Sequence, residues 1–237
     1  MDAKKILEKG AEMFLPNLSI DLVIVGYDGD GLKCLLLRVG EKWVLPGGYV
    51  KRDESVESAM RRTLKERTSL ENPFYKFLAV FGNKERHFGQ EFKSSFAANG
   101  IPWDESYWIN DRFVTLSYYS LVNMDETHPS ISGFDEEFGW FSFKSLPPMW
   151  MDHKEIVLTA RKQLKKDIDF DLLTPNLLPP QFTMPQLHRL HEAIRGETLD
   201  RSRFQKRMLA TGQLERLSKL KKDTRGSNPY QYKVKKE

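Results

Sequence analysis

A chain of 237 residues, 40% hydrophobic and 12% aromatic, has enough apolar side chain to pack a core, which excludes the disordered class. No apolar run reaches the roughly 18–20 residues of a membrane-spanning helix, the N-terminus with Asp2, Glu8 and Glu12 lacks a secretory apolar core, and the one cysteine, Cys34, makes no internal disulfide, so a cytoplasmic protein of one or two domains without a membrane partner is expected. The net charge of +4 is uneven: residues 174–237 carry 14 Lys/Arg against 6 Asp/Glu, net +8, leaving 23 against 27, net −4, before them, which suits either a polyanion-binding segment or a plainly solvated one.

Residues 3–13 read as a short amphipathic helix, weakened by Gly10 and ended by Pro16. The β-rich run 19–27, the turn Asp28-Gly29-Asp30-Gly31 and the run 32–39 predict a hairpin. Trp43-Val44-Leu45 is a short strand stopped by Pro46-Gly47-Gly48. Residues 55–68 repeat Val56, Ala59, Met60, Thr63, Leu64 and Arg67 at helical spacing. Runs 74–81 and 113–122 are strand-like, and the aromatic-rich stretch 82–110 between them is long enough to carry function. A strand at 138–143 and an amphipathic helix at 152–166 complete a mixed order that favours an α+β sandwich over a doubly wound parallel sheet. Pro175, Pro179 and Pro180 coincide with the charge break. The expected organisation is therefore a first domain over 1–168, a linker over 169–180 and a second domain over 181–237.

In the second domain Thr183 is the expected N-cap of a helix with Pro185 in its first turn, an apolar face of Leu187, Leu190, His191 and Ile194, and an end at Gly196. Asp200 caps a second helix over 201–210, closed by Gly212, with Phe204, Met208 and Leu209 turned inward. Strands at 214–220 and 230–234 flank a cationic tip. Two helices on a short turn followed by a basic hairpin predict a winged helix-turn-helix. Its expected DNA contacts are Arg201, Ser202, Arg203, Gln205, Lys206 and Arg207 in the major groove, with Lys221, Lys222 and Arg225 of the wing on phosphates or in the minor groove. Any one of these cations also has the plain reading of a surface residue. His188 and His191, three apart, read as packing residues rather than metal ligands, and the few aromatics (Phe182, Phe204, Tyr230, Tyr232) argue against an RNA-stacking surface.

From Leu45-Pro46-Gly47-Gly48 through Glu54 into Arg61-Arg62-Thr63-Leu64-Lys65-Glu66-Arg67-Thr68-Ser69-Leu70 the chain resembles the Nudix family. That family's box runs Gly, five residues, Glu, seven residues, Arg-Glu-apolar-any-Glu-Glu-any-Gly-apolar. Gly48, Glu54, Arg62, Leu64 and Leu70 all fall in register. The resemblance implies a Nudix-type α/β/α sandwich with a mixed sheet, and Mg²⁺ ligands at positions that here hold Thr63, Glu66 and Arg67, on one helical face. Mg²⁺ takes hard oxygens, and this face offers Glu66 alone beside a guanidinium. Ser69 replaces the closing glycine. An ion pair between Glu54 and Arg62 is expected to survive. The expectation is a Nudix fold without pyrophosphohydrolase activity and with no required cofactor, Glu66 being a weak metal ligand at most. Glu57, Glu85, Glu91 or the carboxylates of 135–137 could still restore a metal site.

The degraded box, the proline stretch and the winged helix together resemble the Nudix-related bacterial transcriptional regulators of the NrtR type, over nearly the whole chain and most closely from Phe182 to Leu214. The resemblance implies a homodimer on palindromic double-stranded operator DNA. It also implies a small-molecule effector that lowers operator affinity: an ADP-ribose-like nucleotide, as in regulators of NAD metabolism, or a sugar such as arabinose, as in regulators of pentose catabolism. The effector is expected near Trp43, Arg62, Glu66, Arg67 and the strand 113–122. The insertion 82–110 is longer than expected for the family and either covers that pocket or joins a dimer interface. The competing reading is an Mg²⁺-dependent Nudix hydrolase acting on ADP-ribose or a related nucleoside diphosphate, with the basic domain as an accessory.

Overall fold

The structure is a computed structural model and describes residues 3–87, 93, 96–97, 100–220 and 228–235. Helix α1 (Ala3–Met13) runs directly into β1 (Phe14–Tyr27), so Pro16 lies in a strand rather than ending a helix. The strand tolerates it because the pairing of β1 with β4 (Gly47–Lys51) is interrupted between Phe14 and Ser19, where Asn17 takes φ 58°, and a missing N–H costs no ladder bond there. The expected hairpin forms between β1 and β2 (Leu32–Val39), with Asp28 Oδ1 accepting the N–H groups of Asp30 and Gly31 at 3.0 and 2.9 Å. Then follow β3 (Lys42–Val44), β4, α2 (Val56–Thr68), β5 (Phe74–Phe81), β6 (Val114–Leu121), β7 (Glu137–Ser142) and α3 (His153–Asp167). The glycines expected only to stop a strand begin one, β4.

Seven strands make one mixed sheet with path β3-β2-β1-β6-β5, to which β4 and β7 attach at β1 and β2. β1 and β6 are parallel, Leu18 facing Val114 through to Val25 facing Leu121, while the other pairs are antiparallel. A central strand buried on both faces must be apolar in both phases, and β1 is: Ile20, Leu22 and Ile24 pack on Ala59, Met60 and Leu64 of α2. The alternate residues Val23 and Val25 share a core with Ile156, Val157, Ala160 and Leu164 of α3. Burying each such side chain contributes about 1.5–3 kcal/mol. The result is the expected α+β sandwich, helix on sheet on helix.

Two local features prepare the site. Ser55 caps α2 by accepting the N–H of Ser58 at 3.1 Å. At its other end Ser69 occupies the left-handed position, φ 61°, that favours glycine; its hydroxyl donates to His128 O at 3.0 Å, which offsets part of the strain. The described part of the insertion packs on α1: Trp108 Nε1 donates to Ile6 O at 2.8 Å, and a Cβ at Gly10 would stand 2.3 Å from the Trp108 ring. Gly10, expected to weaken the helix, is therefore what lets the insertion approach it.

The stretch 169–180 holds a 3-10 turn, Thr174–Leu177, and buries Leu177 and Leu178 in the same core as Val25, Leu187 and Phe204. Beyond it, Phe182–Thr183 forms β8, followed by α4 (Met184–Arg195), α5 (Arg201–Ala210), β9 (Leu214–Lys219) and β10 (Tyr230–Val234) in a small sheet ordered β8-β10-β9. Thr183 and Gln186 close a reciprocal capping box, and Gly196 ends α4 at φ 76°. Phe204 and Met208 point inward, whereas Leu209, expected to join them, is exposed because it lies a further 100° around the helix. Among the described residues no helix is long and apolar enough to cross a membrane.

His188 and His191 are packing residues, each edge-on to Phe204 with ring centroids 5.1 and 4.9 Å away. His191 is 1% exposed, and burial, then the cations of Arg207 and Arg195, lower its pKa from 6.5 to about 3. The native state therefore holds it neutral, with Nε2 2.8 Å from Thr174 Oγ1. Above pH 6.5 this carries no penalty. As pH falls below that, the unfolded chain binds a proton the folded one refuses, and at pH 5 the loss is about 2 kcal/mol. Thermal denaturation at pH 7.5 and 5 should show this fall, and His191→Gln should lessen it; equal stability at both pH values would contradict it.

Candidate functional site

A cavity of about 510 Å³ opens between the first turn of α3, the β3–β4 turn and the charged side of α2. The α2 end is built from the box residues. Arg62 donates to both oxygens of Glu54, at 3.0 and 2.6 Å, to Tyr49 O at 2.9 Å and to Glu66 Oε2 at 3.2 Å. Glu54 in turn accepts the Lys51 N–H at 2.8 Å, and the hydrogen bonds from Arg62 hold its carboxyl below the ordinary glutamate range. The expected loop-to-helix clamp is present. Gly48 allows the loop to lie on the helix: a Cβ there would stand 2.8 Å from Thr63 Oγ1.

Thr63, Glu66 and Arg67 then test whether Mg²⁺ fits. Thr63 is 1% exposed and its hydroxyl faces the glycine loop without a hydrogen-bond partner among the described residues. Arg67 turns into the cavity, where it pairs with Asp135 and donates to Ser132 Oγ at 3.1 Å and to Gly47 O at 3.3 and 3.4 Å. The carboxylate nearest this helix face is thus already neutralised by the guanidinium, and only Glu66, exposed and paired with Arg62, remains. Among the described residues no three His, Cys, Asp or Glu side chains gather to hold a metal ion. These side chains do not fit Mg²⁺.

The other end of the cavity holds a buried ion cluster that the sequence did not disclose. Arg86 of the insertion is 3% exposed, pairs with Asp21 of β1, and donates from Nε to both oxygens of Asp152 at 3.0 and 3.2 Å. His153, the first residue of α3, accepts the Leu45 N–H on Nδ1 at 2.9 Å, and burial lowers its pKa, so the ring is neutral at pH 7. Asp21 had one legible sign, a carboxylate inside the apolar run Ile20-Asp21-Leu22. Arg86, between Glu85 and His87, had none. Phe14, Tyr49, Ile109 and Phe113 wall the space, with Trp108 edge-on to Tyr49 at 4.8 Å. Insertion residues therefore help build the cavity wall; Phe88 and Phe92 lie outside the described residues.

Of the residues expected at the effector, Arg62, Glu66 and Arg67 line the cavity and Trp43 does not. Successive strand residues point to opposite faces, so Val44 faces the cavity while the Trp43 ring packs against Phe141 at 4.4 Å. Of the strand 113–122, Phe113 alone among the described residues reaches the lining. On α5, Arg201, Ser202, Arg203, Gln205, Lys206 and Arg207 are all exposed, and Arg207 lies over the Phe204 ring at 5.7 Å. In the wing, Arg216 stacks on Tyr230 at 3.3 Å. Lys221, Lys222 and Arg225 lie outside the described residues.

Comparison with known proteins matches the family model of the NUDIX domain to residues 17–160 and that of the NrtR DNA-binding winged helix domain to residues 175–234. The ADPR responsive transcriptional repressor NtrR of Acinetobacter baylyi is 25% identical over 215 residues, 87% of this chain and 77% of that protein. The crystal structure of Shewanella oneidensis NrtR complexed with a 27mer DNA superposes with TM-score 0.72 at 24% identity, covering 92% of this chain and 93% of that one. A MutT/nudix family protein from Enterococcus faecalis superposes with TM-score 0.68 at 22% identity, covering 99% and 94%.

Proposed function

The chain belongs to the NUDIX family, and from that premise we propose that it is a DNA-binding transcriptional repressor whose Nudix domain has become an effector sensor rather than a hydrolase. The observation that carries this reading is the Arg67–Asp135 pair: the helix face that would hold the catalytic metal is occupied by a cation and its counter-ion. Lys51, Arg62 and Arg67 around the cavity suit a diphosphate, and the cavity volume of about 510 Å³ suits a ligand of nucleotide size. The NrtR-type winged helix supplies the DNA-binding half, with the exposed basic side of α5 as its groove-reading surface and the wing on the phosphates. The A. baylyi relative, named for its response to ADPR, makes ADP-ribose the first effector to test, with L-arabinose second.

Two winged helices of a homodimer on a palindromic operator fit a domain of this size, since one winged helix covers a single half-site. The effector acts by binding one arrangement of the two domains more tightly than the other, which couples the sites by about 1–3 kcal/mol, or roughly 5–150-fold in operator affinity. A gel shift of the full chain on upstream DNA of neighbouring genes should show a complex that ADP-ribose dissolves, with no consumption of ADP-ribose in Mg²⁺. Metal-dependent turnover lost in Glu66→Gln would instead establish the hydrolase.

A further inference from the structure

The two ends of the cavity differ in charge, and the difference assigns them different ligand groups. At the Arg86 end, two carboxylates face one guanidinium and a neutral imidazole, so the end carries one net negative charge and disfavours a phosphate. The bonds within the cluster use Asp21 Oδ2 and Arg86 Nε and Nη2. Asp21 Oδ1 and Arg86 Nη1 take no hydrogen-bond partner among the described residues, yet neither is sealed in the interior, and both residues line the cavity. Gly47 keeps the approach open: a Cβ there would stand 2.9 Å from Asp21 Oδ1. A free acceptor beside a free double donor complements a group that both donates and accepts, and sugar hydroxyls do both.

The same cluster fixes the start of α3. Asp152, which makes no side-chain cap bond to the helix, spends its carboxylate on Arg86, and His153 anchors the next residue to Leu45. The helix is 15 residues long. At about 1.5 Å per residue it carries that first turn roughly 22 Å to the winged helix. There Lys165 Nζ donates to Arg195 O at 2.8 Å, and Leu164 and Ile168 share a core with Leu187 and Ile194 of α4.

We infer that Asp21 and Arg86 form a hydroxyl-recognising subsite of the effector cavity, and that Asp152 and His153 transmit its occupancy through α3 to the winged helix. This rests on the effector reading above and names how that site is read out. A sugar hydroxyl that bonds Asp21 Oδ1 and Arg86 Nη1 draws Arg86 toward the cavity while its Nε and Nη2 still hold Asp152 and His153 at the first turn of α3, and a rigid helix passes the displacement to α4.

The test uses the full chain, with calorimetric titration of ADP-ribose and L-arabinose and operator affinity measured with and without each. Asp21→Asn and Arg86→Lys should weaken binding of the active ligand by about tenfold or more, the size expected for an unpaired buried hydrogen bond. Arg86→Lys keeps the buried cation and so the fold, but one ammonium cannot serve Asp21, Asp152 and the cavity together; the comparison stands on it even where Asp21→Asn does not fold. Asp152→Asn, which lies outside the cavity lining, should bind the ligand and no longer release DNA. Ligand affinity equal to that of the parent chain in Asp21→Asn and Arg86→Lys overturns the subsite, and ligand-driven release that survives Asp152→Asn overturns the relay. A parent chain that binds neither ligand overturns the effector reading itself, and the subsite with it.

Discussion

Replacing Arg203 and Arg207 together by alanine should lower operator affinity by about 2–6 kcal/mol, roughly 30-fold or more, while effector affinity stays that of the parent chain. The two arginines lie one turn apart on α5, and both are exposed, whereas Phe204 and Met208, also one turn apart, are buried against α4. The anchoring of the helix and its reading surface are therefore separate sets of side chains. Removing the cations leaves Phe204 held between His188 and His191. Within the fold, the double variant gives up the guanidinium of Arg207 over Phe204 at 5.7 Å, which limits the stability change to about 1 kcal/mol. Salt dependence then separates two roles for the same residues. If they hold phosphates, the slope of log affinity against log salt falls by about 0.9 for each phosphate no longer held; if they read base edges, affinity drops and the slope stays. Operator affinity unchanged in the double variant would remove α5 as the groove reader.

How much of this was legible in the sequence follows from where each signal arises. Caps, glycine turns and periodic apolar faces are local, so α2, α4 and α5 emerged with Ser55, Thr183 and Asp200 at their starts. The clamp of Glu54 on Arg62 was legible because a fixed spacing across a loop and a helix encodes one geometry. The winged helix was legible for both reasons. The site's other half depends on residues far apart in sequence. Arg86 meets Asp21 and Asp152 across intervals of 65 and 66 residues, and no spacing within a 10-residue window carries that information. Trp43 was misplaced for the converse reason. It stands just before the glycine loop, but strand parity decides which side it faces, and β3 is only three residues long, too short to show its phase. Pro16 and Leu209 failed similarly: in each, the register of a strand or helix outweighed the residue's own preference.

Arg67→Ala should destabilise the fold by about 3–5 kcal/mol, because it leaves a buried carboxylate without its counter-ion. The Asp135 side chain is 7% exposed and that of Arg67 13%. Among the described residues Asp135 keeps one other bond, from the Ser132 N–H at 3.0 Å, which is too little to hold an isolated charge. Arg67→Glu should be worse in chelator, since it sets a third carboxylate beside Asp135 and Glu66 and adds repulsion to the broken pair. It should differ from Arg67→Ala in one respect. Three carboxylates on this face are hard-oxygen ligands, so millimolar Mg²⁺ or Mn²⁺ should raise the melting temperature of Arg67→Glu, by about 2.7 kcal/mol of stability at a hundred times the dissociation constant. The parent chain and Arg67→Ala should show no such rise. In the parent, the guanidinium already sits where the cation would bind, and in Arg67→Ala too few carboxylates face one another. A parent chain stabilised by Mg²⁺ to the same degree would mean that Arg67 does not stand in the metal's place, and the sensor reading would lose the observation that carries it.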